Sequence, residues 1–138
     1  MAEEEIRQKY VELQMAAEQM KQMQAQLQAL EAKSAELEAN MQSFEELKGQ
    51  KSAELLAPIA EGIFLKAELK NEEEVIVNAG AGVCVRKSVE EAKKMLLERR
   101  DELNDYVREL TQQIENGAES MRNLEEELGK MVRQSKNV

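Results

Sequence analysis

Along the first third of the chain the apolar residues Ile6, Tyr10, Leu13, Ala17 and Met20 recur at spacings of four and three, and the stripe continues as Met23, Leu27, Leu30, Ser34, Leu37, Met41 and Phe44. A repeat of about 3.5 residues keeps one helix face turned toward a partner helix and winds the pair left-handed. Two threes fall in succession between Ala17 and Met23, so the stripe as written carries a stammer that overwinds the coil locally. No Gly or Pro interrupts it before Gly49; Lys48 suits the negative end of a helix dipole, and Gly49 suits a left-handed cap.

The last third opens with Ser88-Val89-Glu90-Glu91, the pattern of a capping box. From Leu96 a heptad seam runs through Arg100, Leu103, Val107, Leu110, Ile114, Gly117, Met121, Leu124, Leu128 and Met131. Two such helices joined by a short middle fold back on one another, pairing residues whose numbers sum to about 140. Leu30 then faces Leu110, Leu37 faces Leu103, Phe44 faces Leu96, and Gly117 falls opposite Met23.

The middle has a different period. In Ile63-Phe64-Leu65-Lys66-Ala67-Glu68-Leu69 the odd positions are apolar, as in a half-buried strand. Val75-Ile76-Val77-Asn78 and Val83-Cys84-Val85-Arg86 are β-branched runs joined by Ala79-Gly80-Ala81-Gly82, a hairpin signal. Leu55 to Ala57, before Pro58, supplies a fourth strand paired with the run after Gly62. The expected division is an N-terminal coiled-coil helix over 1–51, two β-hairpins over 52–88 and a C-terminal coiled-coil helix over 89–138, an α+β chain. A two-helix pair buries one stripe per helix and has no thick core. Strands with apolar residues on both faces need covering, and their edges need pairing. The hairpins are therefore predicted to be an assembly interface, held by Ile63, Leu65, Val75, Val77, Val83 and Val85.

Composition narrows the chemistry. Only 3% of residues are aromatic and 34% are charged, with six Gly and one Pro, which suits long helices. There is no His for proton transfer near neutral pH, and a single Cys makes neither a disulfide nor a thiolate zinc cage. The net charge of −9 repels phosphate backbones, so no nucleic-acid partner is expected. No run approaches the ~18 apolar residues of a membrane span, and Met1-Ala-Glu-Glu-Glu lacks the basic start of a secretory signal. The simplest location is cytoplasmic. Gly80-Ala81-Gly82 lacks the Lys-Ser/Thr of a phosphate loop and reads as a hairpin turn. Cys84, in a β-branched run with no His to activate it, reads as a small buried hydrophobe. No catalytic, metal or cofactor site is expected, and the chain does not read as an enzyme.

At the open end of the helix pair, Ile6, Tyr10, Leu13, Leu128 and Met131 lie on the seam, where coiled-coil core is the plain explanation. Val11 and Met15 sit outward, four apart, and Val132 lies just off the seam. Two readings stand side by side: these three make an adaptable apolar surface, or the stammer turns Val11 or Met15 inward.

Helix, two hairpins, helix resembles the prefoldin family, and the resemblance covers essentially the whole chain. It is carried by Leu56-Ala57-Pro58-Ile59, by Gly62-Ile63-Phe64-Leu65-Lys66-Ala67, and by Glu74-Val75-Ile76-Val77-Asn78-Ala79-Gly80-Ala81-Gly82-Val83. These resemble the strand and turn motifs of the α class, which has two hairpins where the β class has one. Ala60-Glu61 stand where a small-residue turn is common. The resemblance implies a hexamer of two α-class and four β-class subunits, with hairpins joined into a β-barrel platform. It implies an ATP-independent holdase that captures unfolded polypeptides at coiled-coil tips and delivers them to a group II chaperonin. Ile6, Tyr10, Val11, Met15, Leu128, Met131 and Val132 would be the tip residues. The rival reading is a structural coiled-coil spacer or a filament-forming prefoldin-like protein.

Overall fold

The computed structural model describes residues 2–136; Met1, Asn137 and Val138, which the sequence reading assigns to the ends of helical segments, lie outside the described residues. Helix α1 (Ala2–Leu47) and helix α2 (Val89–Lys136) are separated in sequence by two antiparallel hairpins, β1 (Glu54–Ala60) with β2 (Ile63–Glu68) and β3 (Glu74–Gly80) with β4 (Val83–Ser88). The fold is α+β. The chain divides into two compact units, Met1–Lys33 with Leu103–Val138, and Ser34–Glu102.

In the first unit the two helical stretches run antiparallel: Lys9 pairs with Glu127, and Gly117 lies against Met20. The half-buried positions of α1 here are Ile6, Lys9, Leu13, Ala16, Met20, Met23, Leu27 and Leu30, alternating three and four without a break. This corrects the expected stripe. Tyr10 and Ala17 are exposed, and the stammer is absent because the inward residues are their neighbours Lys9 and Ala16. A lysine on a seam is invisible to hydrophobic periodicity, but its methylene stem covers apolar surface while the ammonium reaches Glu127 at 3.1 Å. On α2 the predicted seam from Leu103 to Met131 is the inward one, and Leu110 is buried. A Cβ added to Gly117 would lie 2.8 Å from Met20 Sδ and 3.8 Å from Met23 Cε, so Met20, more than Met23, fills the space the glycine leaves.

In the second unit the helix ends are built as the sequence requires. Gly49, just past the end of α1, has φ +75°, and Ser88 Oγ accepts the Glu91 N–H at 3.1 Å to cap α2. The Glu91 carboxylate lies 3.8 Å from Lys87. Leu37, Val89 and Ala92 are buried, and Phe44, Ala92, Met95, Leu96 and Arg99 line one small cavity together with Val75, Ile76 and Val77, so the second hairpin rests on this helix pair. Lys93 bonds Glu45, and Arg100 reaches Glu38 at 3.3 Å, contacts that mark the antiparallel register.

Each hairpin is its own two-stranded sheet. Strand β1 runs through Pro58 to Ala60, longer than the sequence suggested. Every strand of a two-stranded sheet is an edge, so the N–H that proline lacks can fall on the unpaired side at no cost to the ladder. Both ladders slip by one residue before the turn, between Pro58 and Ala60 and between Asn78 and Gly80. In the second turn Ala81 (φ +51°) and Gly82 (φ +77°) are both left-handed, the conformation that matches strand twist. In the first, Gly62 alone supplies the left-handed residue (φ +76°), so Ala60-Glu61 do not obstruct it.

Candidate functional site

Two surfaces group exposed apolar residues that their own unit leaves uncovered, apart from Leu97 and Tyr106, exposed singly on α2. On the first hairpin, directly paired residues share a face, which puts Leu56 and Lys66 with Pro58 and Phe64 on one side and Ala57 with Leu65 on the other. Leu55, Ala57 and Ala67 are half-buried, whereas Leu56, Ile59, Ile63, Phe64 and Leu65 are exposed. Of the residues predicted for assembly, Ile63 and Leu65 therefore lie on one face of this hairpin, open to solvent.

On the second hairpin Val75, Val77 and Val85 share a face, and Val83 follows it by strand alternation. Val75 and Val77 are half-buried toward Phe44 and Leu96, while Val83 and Val85 remain exposed. The opposite face pairs Ile76 with Arg86 and Asn78 with Cys84. Ile76 is 70% exposed, and Cys84 is exposed too, against the expectation of a buried hydrophobe. The pleat explains it: Val75 and Val77 face the helices, so Ile76 and Cys84 face away. Leu56, Ile59, Phe64 and Ile76 stand beside the predicted interface residues with equal claim, and the signal for them was the apolar character of both strand parities.

The second surface is the end of the first unit where α1 begins and α2 finishes. Ile6, Leu128 and Met131 are half-buried on the seam, and Val132 is half-buried beside it. Tyr10 (54% exposed), Val11 (49%) and Met15 (66%) face solvent. Lys9 and Leu13 mark the inward side, and Val11 lies about 200° from each at ~100° per residue, so it points away from the seam. Val11 and Met15 thus form one outward patch, and Val132 belongs to the seam side. The Lys9 ammonium is held above its ordinary pKa first by its hydrogen bond to Glu127, then by the Glu127 and Glu12 charges. Sequence reasoning missed Lys9 and Ala16; counting the heptad backward from Met23 would have found both.

Among the described residues no group of three metal-ligating side chains converges, and no helix is long and apolar enough to cross a membrane. The family model for a prefoldin subunit matches residues 16–134. The chain belongs to the prefoldin family. Its curated relatives include prefoldin subunit alpha of Methanobrevibacter smithii, 39% identical over 62 residues that cover 45% of this chain and 42% of the relative. Prefoldin subunit alpha of Methanosarcina barkeri is 32% identical over 85 residues, 62% of this chain and 59% of the relative. The chain thus aligns with about half the length of these relatives, and its similarity is to the alpha class of prefoldin. A solved structure described as filamentous PFD from Methanocaldococcus jannaschii matches with a TM-score of 0.72 at 19% identity, covering 81% of this chain and 93% of that one. At that identity it speaks for the fold.

Proposed function

We propose that this chain is an alpha-class subunit of an ATP-independent holdase, which works in the cytoplasm, captures unfolded polypeptides and passes them to a group II chaperonin. The observation that carries the reading is the outward apolar patch of Val11 and Met15, with Tyr10 exposed on its flank, near the start of α1. A spacer has no use for exposed Met and Val, whereas a capture surface needs adaptable apolar side chains and no nucleotide chemistry. Several weak contacts contributed by several subunits would act together, so effective concentration replaces a deep pocket. Two copies of this chain with four beta-class subunits would join through hairpin edges and the exposed faces around Ile63, Leu65, Val83 and Val85, with Val75 and Val77 backing them. The reading assigns the chain no catalytic step and no cofactor.

A second reading is favoured by one observation, that the solved neighbour is described as filamentous: the chain builds a coiled-coil spacer or filament. The test is light scattering from a chemically unfolded client diluted without ATP into this chain mixed with a beta-class prefoldin subunit. Suppressed aggregation that falls in the Val11→Ser/Met15→Ser variant, with particle size unchanged, is the expected result. A full-size particle that suppresses nothing selects the spacer. Val132→Ser, beside the seam, is expected to weaken the helix pair more than capture.

A further inference from the structure

The outward patch has a charged frame. On an α-helix, Glu4 and Glu18 lie within about 20° of Val11 around the axis, one before and one after the Val11/Met15 pair. Both carboxylates are exposed. A shallow groove beside Val11 is lined by Glu4, Arg7, Gln8 and Glu12, with two carboxylates against one guanidinium. Of the other cations on this stretch of α1, Lys9 is turned to the seam and occupied by Glu127, and Lys21 lies one turn beyond Glu18, rotated about 80° from Val11. The outer face of α1 is therefore an apolar pair bracketed by negative charge, in a chain whose net charge is already −9.

We propose that this face is selective, and that its preferred occupant is an extended non-native segment in which two apolar side chains are flanked by Lys or Arg. This deepens the capture reading and rests on it. The spacing supports an extended occupant. Val11 and Met15 are four helical residues apart, about 6 Å along the axis, which matches alternate residues of an extended chain at ~3.3 Å each. Glu4 and Glu18 are about 21 Å apart by the same rise, the span of roughly seven extended residues. A segment of about eight residues, with cations at its second and eighth positions and apolar residues at its fourth and sixth, presents all four on one face and meets both the patch and the frame. The long Lys and Arg stems absorb the remaining mismatch and cover apolar surface as they do so.

Physically the frame sorts segments by charge and adds little to affinity. An exposed ion pair is worth little, but the same carboxylates that attract a cationic segment repel an acidic one, so the difference between the two is what the frame sets. Two such positions together give about a tenfold discrimination at low salt, which fades as the Debye length shortens toward ~3 Å at molar salt.

The test uses the full chain assembled with a beta-class prefoldin subunit and two fluorescent peptides of about 20 residues. Both repeat the apolar spacing above, one with Lys and one with Glu at the flanking positions, and anisotropy reads their binding. The Lys peptide is expected to bind about tenfold more tightly at low salt. Glu4→Gln/Glu18→Gln should remove most of that preference while the Val11/Met15 contribution stays. Glu98→Gln/Glu102→Gln, which changes net charge equally at a distance along the chain, should preserve it. Equal affinity for both peptides, each weakened by Val11→Ser/Met15→Ser, would overturn the selectivity and leave capture intact. A preference abolished equally by the distant pair would assign it to net charge and overturn the frame. Binding of both peptides that ignores Val11→Ser/Met15→Ser would overturn the patch itself, and the capture reading with it.

Discussion

The open end of the helix pair and the hairpins both expose apolar side chains, but they differ in what their backbones still require. Around Val11 and Met15 the helix has satisfied its own N–H and C=O groups, and the exposed pair sits on a charged surface. The hairpins expose Leu56, Phe64 and Leu65, or Ile76, Val83 and Val85, next to strand edges with unpaired backbone groups. A two-stranded sheet is marginal in water by itself. The helix end can therefore accept a partner without a fixed backbone register, or none. The hairpins call for a partner of fixed register, because ladder hydrogen bonds and side-chain pleat must match together.

The variant that breaks this contrast hardest places a charge on a hairpin. Val77 is a poor choice, since it is half-buried on the face turned to the helices of its own unit. Ile76, 70% exposed and on the opposite face, separates assembly from folding. Ile76→Glu, alone or with Phe64→Glu, should leave helicity by circular dichroism unchanged and shift sedimentation from the full particle to small species. An uncompensated charge in a closed interface costs on the order of 3 kcal/mol or more, above a hundredfold in association. A full-size particle formed by the double variant would exclude these faces from the interface.

That choice of residue shows where the sequence was legible. Helix extents, both hairpins, the Gly49 cap and the α2 seam follow from apolar period, turn residues and capping signals, each a local property. Strand alternation identified Ile63, Leu65, Val75 and Val77 without saying which parity would face the helices. Only packing on the helix pair decides that Val75 and Val77 are half-buried and Ile76 is 70% exposed. The α1 seam failed for a related reason: Tyr10 and Ala17 look better buried than Lys9 and Ala16, and continuity of the heptad overrode local hydrophobicity.

A smaller effect probes the first unit at Gly117. A leucine there must displace Met20, whose Sδ would stand 2.8 Å from the first added carbon. Overpacking of this kind costs about 1–3 kcal/mol, partly offset by the roughly 1 kcal/mol that a helix gains when glycine is replaced. Gly117→Leu should lower the unfolding midpoint, and Met20→Ala should restore it in the double variant. The Ile76→Glu variant, whose target lies in the other unit, should add to both without coupling. Failure of Met20→Ala to rescue would move the close contact elsewhere on the seam.

The smallest expected effect is electrostatic and belongs to the second unit, where Glu45, Lys48, Glu90 and Lys93 form one cluster. The hydrogen bond from Lys93, then that from Lys48, holds Glu45 below its ordinary 4.5, and the bond to Glu45 holds Lys93 above its ordinary 10.5. A depressed carboxylate stabilises the fold above its unfolded pKa and loses that contribution as pH falls through its folded value; a raised lysine does the converse at the alkaline end. The difference in unfolding midpoint between the native chain and Lys93→Met, which keeps the stem and removes the charge, should be level across neutral pH. It should shrink as pH drops below 4.5 and again as pH rises above 10.5. Salt should reduce it throughout, since both charged ends reach solvent. A difference that stays constant through the acid range would mean that Lys93 acts through its methylenes against the helix pair, and that the cluster follows the packing of this unit without directing it.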